Sequence, residues 1–107
     1  MASEFIPAGV IPAVLLPFHD DLSIDEASYR AHLRDVSSVQ GLSAITINAH
    51  ASEVASCTFD EQRRVLEISK EELRLPIVNG IYADGSLEAA RLARMAAQGG
   101  ASALLVF

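Results

Sequence analysis

The chain has 107 residues, half of them hydrophobic, and a formal net charge of −6 at pH 7. This size suits one compact domain, and the acidic balance without a basic cluster argues against a nucleic-acid partner, whose phosphates need Lys and Arg. No apolar run approaches the roughly 20 residues of a membrane helix, and the start has no signal-peptide pattern, so no membrane partner is expected. The single Cys57 cannot form an internal disulfide, which favours a cytoplasmic protein.

Four strand-like segments alternate with three helix-like segments along the sequence. The strands are predicted at residues 10–16, 43–48, 76–81 and 102–107. They start at intervals of about 30 residues, the length of a βαβ unit. Nearly unbroken apolar strands joined by amphipathic helices are typical of a parallel sheet covered by helices. Composition and periodicity leave two architectures open, an open doubly wound sheet and part of a (β/α)₈ barrel.

The three helices are predicted from capping residues and from apolar spacing. Asp25 is the expected N-cap of the first helix and Gly41 its stop signal. The apolar stripe of that helix is predicted to consist of Tyr29, Leu33, Val36 and Val39. Thr58 opens the second helix with a capping box that includes Glu61. Ser86 is the expected cap of the third helix, at about residues 87–98.

The segment 43–53, SAITINAHASE, carries the strongest functional signal. It reads as a buried strand that runs directly into a turn of small and polar residues. In parallel α/β sheets and barrels, ligands bind at the carboxyl ends of the strands, because the strand-to-helix loops gather there over a rigid floor. No grouping of His, Cys and carboxylates has metal-ligand spacing, so neither a metal nor a cofactor is predicted.

Several motifs, in consistent order and spacing, carry a family resemblance. They are GVIPAVLLPF at 9–18, AITINAHASE at 44–53, FDEQRRV at 59–65, LPIVNG at 75–80 and GGASALLVF at 99–107. Together they resemble the N-terminal part of the dihydrodipicolinate synthase and N-acetylneuraminate lyase family. The resemblance implies an α/β fold of parallel β/α units, strands one to four of a (β/α)₈ barrel. Residues 1–107 would then be a partial barrel, and the apolar run at the end of the chain leads us to expect a truncated sequence.

The same resemblance implies a lyase of the class I aldolase type. In the family, an active-site lysine forms a Schiff base with pyruvate or another 2-oxo acid, because a protonated imine is a better electron sink than a ketone. The implied partner is therefore a small-molecule 2-oxo acid, and the complete protein is expected to be a homo-oligomer. Lys70 is the only lysine of the chain and lies among glutamates on the exposed face of the second helix. The Schiff-base lysine is thus expected beyond these residues, and the chain alone is expected to be inactive.

Site residues follow from aligning the family turn, Gly-Thr-Thr-Gly-Glu, with Ala49, His50, Ala51, Ser52 and Glu53. In the family, amides and hydroxyls of this turn hold the substrate carboxylate, so the first four residues are predicted to bind substrate. Ala51 can still offer its backbone N–H. His50 is the candidate catalytic residue, able to donate to a carboxylate or move a proton, although it also suits a plain loop position. Glu53 is expected to hold the loop by accepting backbone N–H bonds.

Two other functions remain open at this point. The first is a non-enzymatic half-barrel that pairs through its exposed strand edges with another copy or with the rest of the barrel. The second is a receiver-like signalling domain, in which Asp20, Asp21 and Asp84 would form an acidic magnesium pocket. Cys57, just before a helix start, is expected to be a packed structural thiol rather than an activated one.

Overall fold

The computed structural model describes residues 5–107, which form a parallel sheet with helices between its strands. The helices are α1 (Glu26–Ser37), α2 (Phe59–Glu72) and α3 (Ser86–Gln98), and the strands are β1 (Ile45–Ile47), β2 (Ile77–Ile81) and β3 (Ala103–Val106). Two short 3₁₀ turns, His50–Ser52 and Val54–Ser56, connect β1 to α2. None of the helices within the described residues is both long and apolar enough to cross a membrane.

The strands lie in the order β1-β2-β3 and both neighbouring pairs are parallel. Ile45 of β1 aligns with Ile77 of β2, and Val78 of β2 aligns with Ala103 of β3. A parallel pair needs a crossover connection, here supplied by α2 and α3. The sheet and the helices enclose one apolar core, built on large buried side chains that include Tyr29, Leu33, Ile45, Ile47, Leu66, Ile68, Ile77 and Ile81. This α/β arrangement is consistent with part of a (β/α)₈ barrel.

The predicted strand at residues 10–16 is a correction, because the described residues contain three strands rather than four. The backbone of this segment pairs through isolated parallel bridges, Val10 to Leu42 and Ala13 to Thr46. Pro12, between them, has no N–H to donate. The pairing also slips by one residue between the two bridges, as at a β-bulge. The segment therefore lies beside β1 without forming a continuous ladder.

The N-cap residues of α1 and α2 were predicted correctly. The Asp25 carboxylate accepts a hydrogen bond from the Ser28 N–H, 3.1 Å away. The Thr58 hydroxyl accepts from the Glu61 N–H, and the Glu61 carboxylate accepts from the Thr58 N–H, so the capping box is complete. Each bond satisfies a donor that the first turn of a helix leaves without a partner.

Two predicted helix boundaries were wrong. Ser86 is the first residue of α3, and the N-cap is Gly85, the last extended residue, which makes no side-chain cap bond. The first helix ends at Ser37, so Val39 lies outside it and is 57% exposed. The hydroxyls of Ser37 and Ser38 donate to backbone carbonyls one turn earlier, a local bonding pattern that competes with helix continuation.

A buried hydroxyl pair joins α1 to α2. The Tyr29 and Ser69 hydroxyls are 2.8 Å apart, and both residues are fully buried. Burial raises the pKa of Tyr29 to about 12, partly offset by the bond to Ser69. At the surface of the same helix pair, Arg64 forms a two-bonded pair with Glu26. The packing of α1 against α2 is thus fixed by a buried hydrogen bond and by a surface ion pair.

The three strands differ in cover. Every residue of β1 and β2 is buried, whereas most of β3 is exposed. Leu105 and Val106 of β3 are 46% and 68% exposed. The sheet is therefore best shielded from solvent at β1 and β2, and the turn at residues 48–53 follows β1 directly.

Candidate functional site

The turn that follows β1 is fixed from beneath by a buried asparagine. Asn48 has a left-handed backbone, φ +54°, a conformation that Asn tolerates better than most residues. Its Nδ2 donates to the backbone oxygen of Gln62 and to Oδ1 of Asn79, each 3.0 Å away. These bonds tie the end of β1 to α2 and to β2, so the turn leaves the sheet in a defined direction.

A glycine on the neighbouring strand makes that arrangement possible. A Cβ atom placed on Gly80 of β2 would overlap the backbone carbonyl of Asn48. Since the obstacle is backbone rather than a flexible side chain, only glycine fits without a shift of one strand. The close approach of the two backbones sets where the turn lies over the strand ends.

Ser52 fixes the other end of the turn. Its side chain is buried, and its hydroxyl donates to the backbone oxygen of Val14, 2.5 Å away. Its backbone N–H donates to the oxygen of Ala49, which is also buried. The hydroxyl predicted to bind substrate is therefore already committed to the segment beside β1, and Ala49 offers backbone only.

The outer side of the turn exposes backbone N–H groups. His50, Ala51 and Glu53 are exposed. Within residues 5–107, no acceptor pairs with the backbone N–H of His50 or of Ala51. Two adjacent N–H groups on a rigid turn are suited to bind a carboxylate, because charge-assisted hydrogen bonds are the strong ones. The structure thus brings the predicted donors to the carboxyl end of β1.

Glu53 stabilises the loop through its backbone. Its N–H donates to the oxygen of His50, and its φ of +59° lets the chain turn between the two 3₁₀ segments. In the described part of the chain, no hydrogen bond reaches its carboxylate. Within the described residues, Glu53 therefore holds the loop through its backbone and not, as predicted, through its carboxylate. The carboxylate lies exposed beside a shallow groove with Leu16, Phe18 and Ser56.

Three aromatic rings meet above the strand ends. The His50 imidazole centroid lies 4.4 Å from that of Phe107 and 5.9 Å from that of Tyr82. The Tyr82 and Phe107 centroids are 5.8 Å apart. We call His50, Tyr82 and Phe107 the ring cluster. The predicted strand at residues 102–107 includes Phe107, but the sequence analysis did not predict this cluster. The signal that could have revealed it is an aromatic residue directly after each of two neighbouring strands.

Neither Lys70 nor Cys57 is a nucleophile in this structure. Lys70 lies exposed in the last turn of α2, whereas Schiff-base chemistry needs a desolvated amine. Burial raises the pKa of the Cys57 thiol to about 11, helped by the carboxylates of Glu61 and Glu53. A thiol with such a pKa stays protonated near neutral pH, in line with the predicted structural role.

The acidic pocket of a receiver-like domain does not form. In the stretch that the structure describes, no group of three or more His, Cys, Asp or Glu side chains is arranged to hold a metal ion. Asp21, one of its proposed members, instead accepts bonds from the hydroxyl and N–H of Ser23, which lower the pKa of its carboxyl.

Parallel β/α units with open donors at the strand ends define an α/β protein of the kind that binds ligands at that edge. The family model for the dihydrodipicolinate synthetase family matches residues 6–107. The chain therefore belongs to the dihydrodipicolinate synthase family, as the motifs indicated.

Individual relatives agree with this assignment. The chain is 36% identical over 98 residues to 4-hydroxy-tetrahydrodipicolinate synthase of Methanothrix thermoacetophila, covering 92% of this chain and 33% of that protein. It is 32% identical over 108 residues to the synthase of Salinibacter ruber, covering 99% and 35%. The chain thus spans about one third of the length of the curated relatives it matches.

Solved structures match at the level of the fold. Dihydrodipicolinate synthase from Rhodopseudomonas palustris superposes with a TM-score of 0.82 at 27% identity, covering 94% of this chain and 33% of that one. N-acetylneuraminate lyase from Mycoplasma synoviae superposes with a TM-score of 0.80 at 21% identity, covering 92% and 34%. The second likeness concerns the fold alone.

Proposed function

We propose that this chain supplies the carboxylate-binding part of a dihydrodipicolinate synthase-like lyase that acts on pyruvate or another 2-oxo acid. Residues 1–107 would be the first part of its (β/α)₈ barrel. The observation that carries the proposal is the pair of exposed N–H groups at His50 and Ala51, which have no acceptor within residues 5–107. They stand at the edge of the sheet where barrel enzymes bind substrate.

In this proposal the substrate carboxylate accepts hydrogen bonds from both N–H groups. The His50 ring, exposed at the same turn, adds a third donor and is the candidate catalytic side chain. Ala49 and Ser52 contribute by holding the turn, since both are buried. Binding the carboxylate would place the 2-oxo group of the substrate over the strand ends.

The covalent step needs a lysine that lies outside these 107 residues. Its amine would add to the C2 carbonyl of the 2-oxo acid, and loss of water would give a protonated imine. Lys70 is unsuited to this, because it is exposed and separated from the turn by the length of α2. We accordingly propose that this stretch alone binds its ligand without turnover. We further propose that the complete protein is a cytoplasmic homo-oligomer.

Two measurements on the purified chain test the proposal. In a pyruvate titration followed by amide NMR, the largest shifts should occur at His50 and Ala51, and acetate should reproduce them in part because it shares the carboxylate. Shifts spread evenly over the chain, or none at any soluble concentration, would refute carboxylate binding.

The second measurement is borohydride trapping with pyruvate, read by intact mass. The wild type and Lys70→Arg should both stay unmodified at their side chains. An adduct that the wild type forms and Lys70→Arg lacks would contradict the assignment of the Schiff base to another segment.

One observation favours a second candidate, self-association. Leu105, Val106 and Phe107 leave apolar surface exposed along β3, and an unpaired strand edge is a template for another strand. Sedimentation distinguishes the two candidates: a monomer that binds pyruvate supports the first, and an oligomer that ignores pyruvate supports the second.

A further inference from the structure

The His50 side chain is held by rings rather than by hydrogen bonds. In the described residues its imidazole makes no hydrogen bond and no ion pair, while its centroid is 4.4 Å from the Phe107 ring at an interplanar angle of 58°. The Tyr82 ring meets it edge-on at 67°. Contacts of these geometries are favourable for aromatic pairs, and they leave both ring nitrogens free.

The rings that hold His50 are themselves anchored to the sheet. Phe107 follows β3 directly, and its N–H donates to the oxygen of Ile81, 3.2 Å away. Tyr82 follows Ile81, the last residue of β2. The neighbouring strands β2 and β3 therefore fix the positions of the two rings. Both rings contact the side chain of His50, which lies in the turn after β1.

Both anchoring rings also remain accessible. Tyr82 is 42% exposed and Phe107 is 38% exposed, so neither is a core residue whose loss would open a cavity. Their contact partner His50 is exposed too. Ring contacts at such exposed positions contribute little to the stability of the fold, so their main effect is to orient His50.

We propose that Phe107, and secondarily Tyr82, are positioning residues that orient the His50 imidazole beside the free N–H groups of His50 and Ala51. The ring nitrogen then donates to the same carboxylate that the turn binds. This inference rests on the proposed function, because it assigns the rings a part in the same carboxylate site.

The direct test is an NMR comparison of Phe107→Leu with Phe107→Tyr in the full chain. In the wild type, ring currents should displace the His50 imidazole proton resonances from those of His19 and His32. Phe107→Leu should reduce that displacement to the smaller contribution of the more distant Tyr82 ring, and Phe107→Tyr should retain it. Unshifted His50 resonances in the wild type would overturn the ring contact itself.

The functional readout is pyruvate affinity of the same variants. Phe107→Leu should weaken binding by about 2- to 10-fold, the range that one aromatic contact supplies, and Phe107→Tyr should restore wild-type affinity. Tyr82→Leu should have a smaller effect because its ring is farther from His50. Val106→Ala, which changes the exposed last residue of β3 next to Phe107, is the matched control and should bind as the wild type does.

The outcomes separate the two proposals. If the wild type binds pyruvate and Phe107→Leu binds equally well while its His50 resonances move, the positioning role is refuted and the carboxylate site stands. If the wild type shows no pyruvate binding, the carboxylate site is refuted and the positioning role with it. Weakened binding in Phe107→Leu that Phe107→Tyr does not restore would also count against orientation by a ring.

Discussion

The two sides of the turn at residues 48–53 do different work. On the inner side, Asn48 and Ser52 are buried and use their side chains as donors to neighbouring segments. On the outer side, His50 and Ala51 are exposed and keep their N–H groups available. Buried residues that support the turn thus flank the exposed residues that offer donors, so the two sets can be changed separately by substitution.

Gly80→Ala should have the largest effect, because it strikes the inner side from the neighbouring strand. The added methyl group would overlap the Asn48 carbonyl, and relieving a backbone overlap in a packed site costs about 3 kcal/mol. Urea unfolding followed by circular dichroism measures the loss. Gly85→Ser is the control, since a Cβ there meets nothing within 4 Å and serine is a favourable N-cap.

Gly80→Ala should also displace the amide signals of residues 48–53 while Gly85→Ser leaves them in place. Equal stability of the two variants would show that the strands approach less closely than the structure describes.

Asn48→Ala should cost about 2–3 kcal/mol. It removes two buried hydrogen bonds, deprives the buried Oδ1 of Asn79 of the Asn48 donor and puts alanine at a positive φ. Asn48→Gly separates these causes, because glycine accepts the backbone conformation but cannot form the bonds. Glycine should recover about 1 kcal/mol of the loss; full recovery would mean that the side-chain bonds contribute nothing to the free energy of unfolding.

Ser52→Ala should cost about 1 kcal/mol, the usual contribution of one buried hydrogen bond. Its hydroxyl bonds to Val14, so the variant should loosen the segment beside β1 and speed amide exchange there. Ser56→Ala, at an exposed position, is the matched control. Identical exchange at Val14 in both variants would deny that Ser52 ties the two segments together.

His50→Ala should have the smallest effect on stability, under about 1 kcal/mol, because only ring contacts are lost. Its effect should fall on ligand binding instead, with pyruvate affinity reduced about tenfold by loss of one donor to a carboxylate. His50→Gln, which keeps an N–H donor, should retain part of the affinity. A large loss of stability in His50→Ala would place this residue on the supporting side of the turn.

Local signals predicted much of this fold. The alternation of apolar strands and amphipathic helices predicted four parallel strands, three of which form the sheet. The Thr58 capping box was identified from four residues. The segment 10–16 resembled a strand by its apolar run, but its ladder is broken at Pro12 and by a one-residue slip against Leu42 and Thr46, a long-range register that local sequence does not contain.

The site was only partly predictable for the same reason. The position of the turn and the Ala51 N–H follow from the strand pattern and the family motif. The commitment of Ser52 to Val14 and the meeting of His50 with Phe107 join residues 38 and 57 positions apart. Such contacts depend on the parallel register of the sheet, which local sequence patterns do not determine.

The carboxylate site is tested most directly by deleting one of its two N–H groups. Ala51→Pro removes that donor within the first turn of the 3₁₀ segment, where the N–H has no intrahelical acceptor, and Ala51→Ser keeps it. In pyruvate titrations of the folded chains, Ala51→Pro should lose at least about tenfold in affinity while Ala51→Ser stays near the wild type. Wild-type affinity in Ala51→Pro would contradict the account.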